Sequence, residues 1–316
     1  MSDALLSVSR LCAGYGERPA VADISFSLHR GEILCLVGES GCGKTTVLRS
    51  LLCAPGVRWL SGEITLKDAE LSALPGKARR SLCSQRLGVV FQSPEAAFNP
   101  IRSYRRQFVE TLKSHGIFNP ATFDRQVEQA FARVELKDWR RVLNACPYAL
   151  SGGMNQRVAL ALAMLLGQDI LLGDELTSAL DATIQLSVAK ELKKLRDDGV
   201  AQIIVTHHLA LAGFLADRIG VMYAGRLVEL GRAGDVLRHP CHPYTVSLIE
   251  AVPGLEGAVP TGLPGSPSLS GPQKVGCEFM ERCLRARPDC AARIYALERA
   301  GDGHFAACNA GKGDGS

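Results

Sequence analysis

Nowhere in these 316 residues does an apolar run reach the roughly 18–20 residues that span a bilayer. The longest candidate, residues 158–173, is cut by Gln168 and Asp169 and reads as a helix followed by a strand. Residues 1–10 lack the basic start and apolar core of a secretory signal, so a cytoplasmic protein is expected. Little net charge is present either: 36 Lys and Arg against 32 Asp and Glu leave +4. That balance gives no electrostatic reason to expect nucleic acid or an acidic membrane surface as the main partner. No internal repeat is found, so the chain holds one copy of its main unit. At 47% hydrophobic and 22% charged residues, it is long enough for one large domain or for one domain plus an appendage.

Short apolar runs rich in β-branched residues alternate with helical patterns, which predicts an α/β domain with a mainly parallel sheet. The expected central strands are residues 33–37, 87–91, 170–172, 202–205 and 219–222. Residues 21–28 and 63–66 read as strands of a smaller antiparallel layer. From about 99 to 149 strand signals stop and helical patterns such as 123–134 take over, predicting a helical subdomain at about 99–165. The character changes again after Gly231, and residues 253–272 are dense in Pro, Gly and Ser, as in a linker. Residues 311–316 are expected to be disordered.

The 11 cysteines fall into two groups. Cys12, Cys35, Cys42, Cys53, Cys83, Cys146 and Cys241 are scattered and read as ordinary reduced thiols. Cys277, Cys283, Cys290 and Cys308 crowd near the end of the chain. Four thiolates suit a 4Fe–4S cluster or a tetrahedral Zn²⁺, but neither the paired C-x2-C of common zinc sites nor the tight ferredoxin run is present.

The strand at 33–37 runs into Gly38-Glu39-Ser40-Gly41-Cys42-Gly43-Lys44-Thr45, with a helical pattern from Thr46. This is G-x-x-x-x-G-K-[ST] in a strand–loop–helix context. Its glycines let backbone N–H groups point inward around a phosphate at the positive end of a helix. Lys44 brings a point charge to the β- and γ-phosphates, and Thr45 a hydroxyl to Mg²⁺. A second strand, 170–172, leads through Gly173 to Asp174 and Glu175. Asp174 is placed to hold the Mg²⁺ hydration shell, and Glu175 to polarise the attacking water. Taken alone, an acidic pair at a strand end is a solvated loop start; the phosphate loop upstream reverses that reading.

Leu150-Ser151-Gly152-Gly153-Met154-Asn155-Gln156-Arg157 opens the helix that precedes this acidic strand. The string resembles the L-S-G-G-x-x-Q-R signature of ABC ATPases, and the three motifs in this order extend the resemblance over about residues 5–231. It implies a P-loop ABC ATPase fold and carries roles to further positions. Gln92 resembles the loop glutamine that touches Mg²⁺, His207 the switch histidine at the γ-phosphate, and Tyr15 the aromatic that stacks on adenine. Ser178-Ala179-Leu180-Asp181 resembles the loop through which paired cassettes sense each other. The resemblance also implies that Ser151, Gly152, Gly153 and Gln156 complete the site of a partner cassette, with ATP between the two. Three positions depart from the family pattern: Gly173 stands where alanine is common, Leu176 where proline is usual, and His208 where aspartate is usual.

Phe91-Gln92-Ser93-Pro94 followed by Phe98-Asn99-Pro100 resembles the oligopeptide, dipeptide and nickel importers. So does His239-Pro240-Cys241-His242-Pro243-Tyr244-Thr245, which opens their C-terminal extension. The resemblance implies an ATPase domain at 1–232 and an extension at 233–316. It also implies a second ABC ATPase subunit, two permeases and an external binding protein as partners, at the cytoplasmic face of a membrane. Some relatives with a similar cysteine set, matched here also at Cys277-x-Phe279 and Arg282-Cys283, carry a 4Fe–4S cluster. Zinc and unligated thiols remain alternatives for these cysteines. For the motor, the alternatives are a soluble ABC ATPase of DNA repair or translation, an exporter motor, and a redox-sensing subunit.

Overall fold

A computed structural model describes residues 4–93, 97–176, 180–252, 272, 275–292 and 296–308. Residues 253–271 of the expected linker, the expected disorder at 311–316, and Pro94, Ser178 and Ala179 lie outside the described residues. The strands are β1 (Ala4–Tyr15), β2 (Arg18–His29), β3 (Ile33–Val37), β4 (Arg58–Leu66), β5 (Ala69–Glu70), β6 (Leu87–Val90), β7 (Ile170–Asp174), β8 (Ala201–Thr206), β9 (Arg218–Tyr223), β10 (Arg226–Arg232), β11 (Glu298–Gly301) and β12 (His304–Ala306). The α-helices are α1 (Lys44–Leu51), α2 (Gly76–Arg86), α3 (Tyr104–Ser114), α4 (Phe123–Arg133), α5 (Trp139–Asn144), α6 (Gly152–Leu166), α7 (Ala182–Asp197), α8 (Leu209–Leu215), α9 (Ala233–Arg238) and α10 (Pro243–Glu250).

The main sheet runs β11-β12-β10-β9-β3-β8-β7-β6, and the second runs β2-β1-β4-β5. From β9 to β6 every pairing is parallel, whereas β10, β12 and β11 add antiparallel edge strands. Strands β3, β7 and β8 are buried along their whole length, which is why their sequences are nearly continuous apolar runs. Alternate residues serve opposite faces. Ile33, Cys35 and Val37 join a core with α3–α8, while Leu34 and Leu36 join a core with α1 and the antiparallel sheet. The expected strands match β3, β6, β7, β8 and β9 closely. The stretch 99–149 is helical, with Tyr104, Phe108 and Phe131 in successive edge-to-face contacts at 4.9–6.3 Å that begin at Phe98.

The region after β10 is locked onto the sheet by one buried carboxylate. Glu229, fully buried on β10, accepts hydrogen bonds from the backbone N–H groups of Cys241 (2.8 Å) and His242 (2.9 Å). Its Oε1 also lies 2.7 Å from His304 Nε2 on β12. Burying a carboxylate is costly unless its lone pairs are met, and here three partners meet them. His242 in turn caps α10, its Nδ1 accepting from the N–H of Tyr244 at 3.1 Å, with Pro243 in the first helical turn.

Candidate nucleotide site

The parallel register brings three strand ends to one edge. Val37 pairs with Thr206, and Asp174 with Val205, so the loops after β3, β7 and β8 leave the sheet side by side. Ligands of open α/β sheets bind at this carboxyl edge.

The loop after β3 turns through left-handed backbone at Gly41 (φ 81°) and Gly43 (φ 101°). A Cβ on Gly38 would lie 2.2 Å from the Met222 carbonyl oxygen, and one on Gly43 would lie 2.6 Å from Val21. Both positions therefore need glycine for space as well as conformation. Lys44 is buried, and its ammonium donates to the carbonyls of Gly38 and Glu39, each at 2.8 Å, drawing the loop closed around it. Ser40, Gly41 and Thr45 are exposed, whereas Cys42 and Thr46 are buried.

Thr45 Oγ1 donates to Asp174 Oδ1 at 3.2 Å. Burial raises the Asp174 carboxyl above its ordinary value, and the Thr45 hydrogen bond opposes that rise. A desolvated carboxylate beside a hydroxyl oxygen is a hard-oxygen donor pair of the kind Mg²⁺ takes. The structure thus fits the expected metal.

Glu175 follows at φ 51°, a left-handed conformation strained for a residue with a Cβ. Its neighbours over-determine it. The Glu175 N–H donates to the Val205 carbonyl at 2.9 Å, and its own carbonyl accepts from Gln156 Nε2 at 3.2 Å. The carboxylate accepts from Gln92 Nε2 at 2.7 Å and lies 2.9 Å from His207 Nδ1. Four residues from three other segments thus meet on one acid. Gln92 and His207 are themselves exposed at this edge. His208 stacks on His207 with ring centroids 4.0 Å apart, and burial together with His207 lowers its pKa.

Ser151 caps α6, its hydroxyl accepting from the N–H of Met154 at 3.4 Å, and Ser151 and Gly152 are exposed at the helix start. Gly153 is half-buried. Gln156 departs from the sequence reading, which grouped it with this outward surface. It is 2% exposed and turns inward to Glu175 of its own chain. The reason is helical periodicity: positions 155 and 156 fall on the face of α6 that packs against the core. Tyr15 stands 46% exposed at the tip of the β1–β2 hairpin. Asp181 caps α7 by accepting from the N–H of Ile184 at 3.0 Å.

Two of the departures from the family pattern explain each other. A Cβ on Gly173 would come within 2.5 Å of Leu176 Cδ1, 2.6 Å of its Cγ and 2.9 Å of Ile204 Cδ1. Leu176 is buried at 3% exposure, in the space that an alanine methyl at 173 would need.

Sequence reasoning missed the contribution of the C-terminal region to this site. Tyr244, fully buried on α10, accepts a hydrogen bond at 2.9 Å through its hydroxyl from the N–H of Glu39. Arg282, adjacent to Cys283, grips both carboxylate oxygens of Glu39 at 2.7 and 2.9 Å across 243 positions of sequence. Phe279 packs edge-on against Tyr223 and Tyr244, at centroid distances of 5.2 and 5.4 Å. Arg226 pairs with Glu278 at 2.8 Å in the same wall. The signal was present in the spacing Phe279…Arg282-Cys283, but nothing in one dimension ties it to Glu39.

A glycine loop closed on a lysine, a hydroxyl–carboxylate pair and an acid held by a glutamine and a histidine define a P-loop nucleotide-binding cassette. Comparisons agree. The ABC transporter family profile matches residues 21–178, and that of the oligopeptide/dipeptide transporter C-terminal region matches 228–290. The oligopeptide transport ATP-binding protein OppD of Escherichia coli is 35% identical over 97% of this chain and 93% of its own length. The dipeptide transport ATP-binding protein DppD of Bacillus subtilis is 35% identical over 92% of this chain and 90% of its own. A solved dimeric ATP-binding cassette in a post-hydrolysis state, bound to ADP and Pi, superposes with a TM-score of 0.65 at 25% identity. It covers 72% of this chain and 98% of that one. The chain belongs to the ABC transporter family, in the branch that carries the oligopeptide/dipeptide C-terminal region.

Two predictions follow from this geometry. Gly173→Ala is expected to overpack the strand end and cost about 1–3 kcal/mol, read as a fall in Tm with loss of ATPase activity. Adding Leu176→Ala should recover most of both, and an additive double variant would show that the two sites are not coupled. Arg282→Ala leaves the Glu39 carboxylate unneutralised in the wall of an anion-binding loop, and ATP affinity is expected to fall roughly tenfold, about 1.4 kcal/mol. Glu39→Gln in the same chain should restore most of that affinity in equilibrium binding; no restoration would exclude the charge argument.

Proposed function

We propose that this chain is the ATP-hydrolysing subunit of a peptide importer, with each residue of the edge site in a distinct role. The observation that carries this reading is the Glu175 carboxylate held by Gln92 and His207 beside the Thr45–Asp174 pair. The backbone N–H groups of residues 38–43 and the Lys44 ammonium bind the phosphates of ATP. Tyr15 stacks on adenine. Thr45, Asp174 and Gln92 hold Mg²⁺, which screens phosphate charge during transfer. Glu175 orients and polarises the attacking water, and His207 contacts the γ-phosphate. The exposed start of α6, at Ser151 to Gly153, faces the nucleotide of a partner cassette, so that closure of the pair accompanies ATP binding.

Among the described residues no helix is long and apolar enough to cross a membrane, so coupling to transport requires permease partners. We assign two permeases, a second ABC ATPase of identical or different sequence and an external binding protein, at the cytoplasmic face of the membrane. The relatives named above carry oligopeptides and dipeptides, which favours peptides over nickel complexes as cargo. The division into an ATPase domain at 1–232, with its helical subdomain at about 99–165, and an extension at 233–316 is part of this proposal.

The C-terminal cysteines are assigned to a 4Fe–4S cluster. The Cys277 N–H donates to the Cys290 carbonyl at 2.9 Å. Burial raises the Cys283 thiol above its ordinary value, and the nearby Cys308 and Cys290 thiols add to that rise. Thiols of Cys283, Cys290 and Cys308 close to one another, with Cys277 bonded to the Cys290 backbone, suit such a cluster. Held there, it would tie the Cys277–Cys290 loop, and Arg282 with it, to the end of the β12 strand, in a structural role.

Glu175→Gln is expected to bind ATP normally yet turn it over at least about a hundredfold more slowly; near-normal turnover would overturn the role given to Glu175. For the transport reading, the tagged chain is solubilised gently from native membranes under anaerobic conditions. Co-purification of permeases, a second ATPase and a binding protein is the expected result. Ribosomal or DNA-repair proteins in their place would remove the importer assignment and leave the ATPase intact.

A further inference from the structure

Two thiols that read as ordinary in the sequence lie against each other. Cys53 follows α1 and Cys83 lies on α2, and their Sγ atoms are 3.6 Å apart. That separation is about 1.5 Å longer than the roughly 2.05 Å of a disulfide bond. The members of the pair differ in access. Cys83 is buried at 1% exposure, whereas Cys53 is half-buried and lines an open cleft of about 420 Å³.

The cleft is cationic. Arg58, Arg79 and Arg80 line it together with Trp59, and the Arg79 guanidinium stacks 4.3 Å above the Trp59 ring. Among the described residues, none lining the cleft is acidic. A small molecule carrying several carboxylates suits these walls. One that also carries a disulfide would present it at Cys53.

We propose that Cys53 and Cys83 form a reversible disulfide through exchange with an anionic low-mass disulfide of the glutathione type, docked in the arginine-lined cleft. The Cys53 thiolate attacks one sulfur of the incoming disulfide. A Cys53–S bond forms, the S–S bond of the donor breaks, and one glutathione thiolate leaves and takes a proton. Cys83 then gives up its proton and attacks the Cys53 sulfur, forming the Cys53–Cys83 bond and releasing the second glutathione. In sum, the two protein thiols lose two electrons and two protons, and one molecule of glutathione disulfide is reduced to two of glutathione.

The electrostatics support this order of attack. The hydrogen bond with Cys83, with Arg79 and Arg80 nearby, lowers the pKa of Cys53 against the opposing effect of burial. The same hydrogen bond and burial raise that of Cys83. The lowered pKa thus belongs to the member that the cleft exposes, which makes it the attacking thiol and the buried member the resolving one. The bond would join α1, whose first residues are Lys44 and Thr45, to α2, which runs into β6 and on to Gln92.

The test uses the full chain, purified reduced under anaerobic conditions, exposed to glutathione disulfide, alkylated and mapped by peptide mass spectrometry. Wild type is expected to yield the Cys53–Cys83 linked peptide, reversible by dithiothreitol, with Cys53 reacting about tenfold faster than half-buried Cys12 and Cys146. Cys83→Ser should accumulate the mixed disulfide of Cys53 with one glutathione, and Cys53→Ser should leave Cys83 unmodified. Exchanging the arginines in Arg58→Gln/Arg80→Gln should slow the reaction with glutathione disulfide more than with uncharged hydroxyethyl disulfide. Absence of the linked peptide in wild type, or equal modification of Cys83 in Cys53→Ser, would overturn the dithiol. Equal slowing toward both disulfides would overturn the docking cleft.

Discussion

The site depends on one constraint, the parallel in-register pairing of β7, β8 and β3 at the centre of a sheet buried on both faces. A parallel ladder puts all carboxyl ends on the same edge, so three loops distant in sequence leave the sheet together. A shift of one residue in β7 would turn Asp174 toward the opposite face and remove it from Thr45. The apolar alternation that fills two cores therefore also sets the position of the acid. Stability and chemistry rest on the same register.

A second principle is the handling of charge around an anion-binding loop. Glu39 sits among backbone N–H groups suited to phosphate, where a free carboxylate would repel the ligand. Arg282 meets it with both arms of the guanidinium, at 5% side-chain exposure. Tyr244 takes the N–H of the same residue, so Glu39 is held by side chain and by main chain from the C-terminal region. Glu229, in turn, holds the start of that region to β10 through Cys241 and His242. This C-terminal region is thus part of the wall of the nucleotide site and shares its core through Tyr244 and Phe279.

Of the strands that matched expectation, β3, β7 and β8 are buried along their whole length and β6 and β9 nearly so, and their short apolar runs stand out in the sequence. The strands that escaped notice are β1, β5, β10, β11 and β12; in β1 and β10, polar residues such as Ser7, Ser9, Arg10 and Glu229 interrupt the pattern. Glu229 is the instructive case. A glutamate in a strand reads as a solvent-facing position, yet it is fully buried because three donors converge on it from segments up to 75 residues away. Gln156 misled in the same way, since its motif carried a role outward while its place on the helix turned it inward.

What the sequence determined by itself are the groups whose chemistry is local: the glycine loop, the lysine and threonine at its end, and the acids at the end of an apolar strand. Each is defined within a few residues, because backbone conformation and strand or helix ends are short-range properties. Tertiary structure alone decided the pairings: Arg282 with Glu39, Gln92 and His207 on Glu175, Gly173 against Leu176, and Cys53 beside Cys83. Those contacts join residues as much as 243 positions apart. The physical reason is that a buried charge or a missing methyl is compatible only with the neighbour that packing places there, and packing is a property of the folded chain.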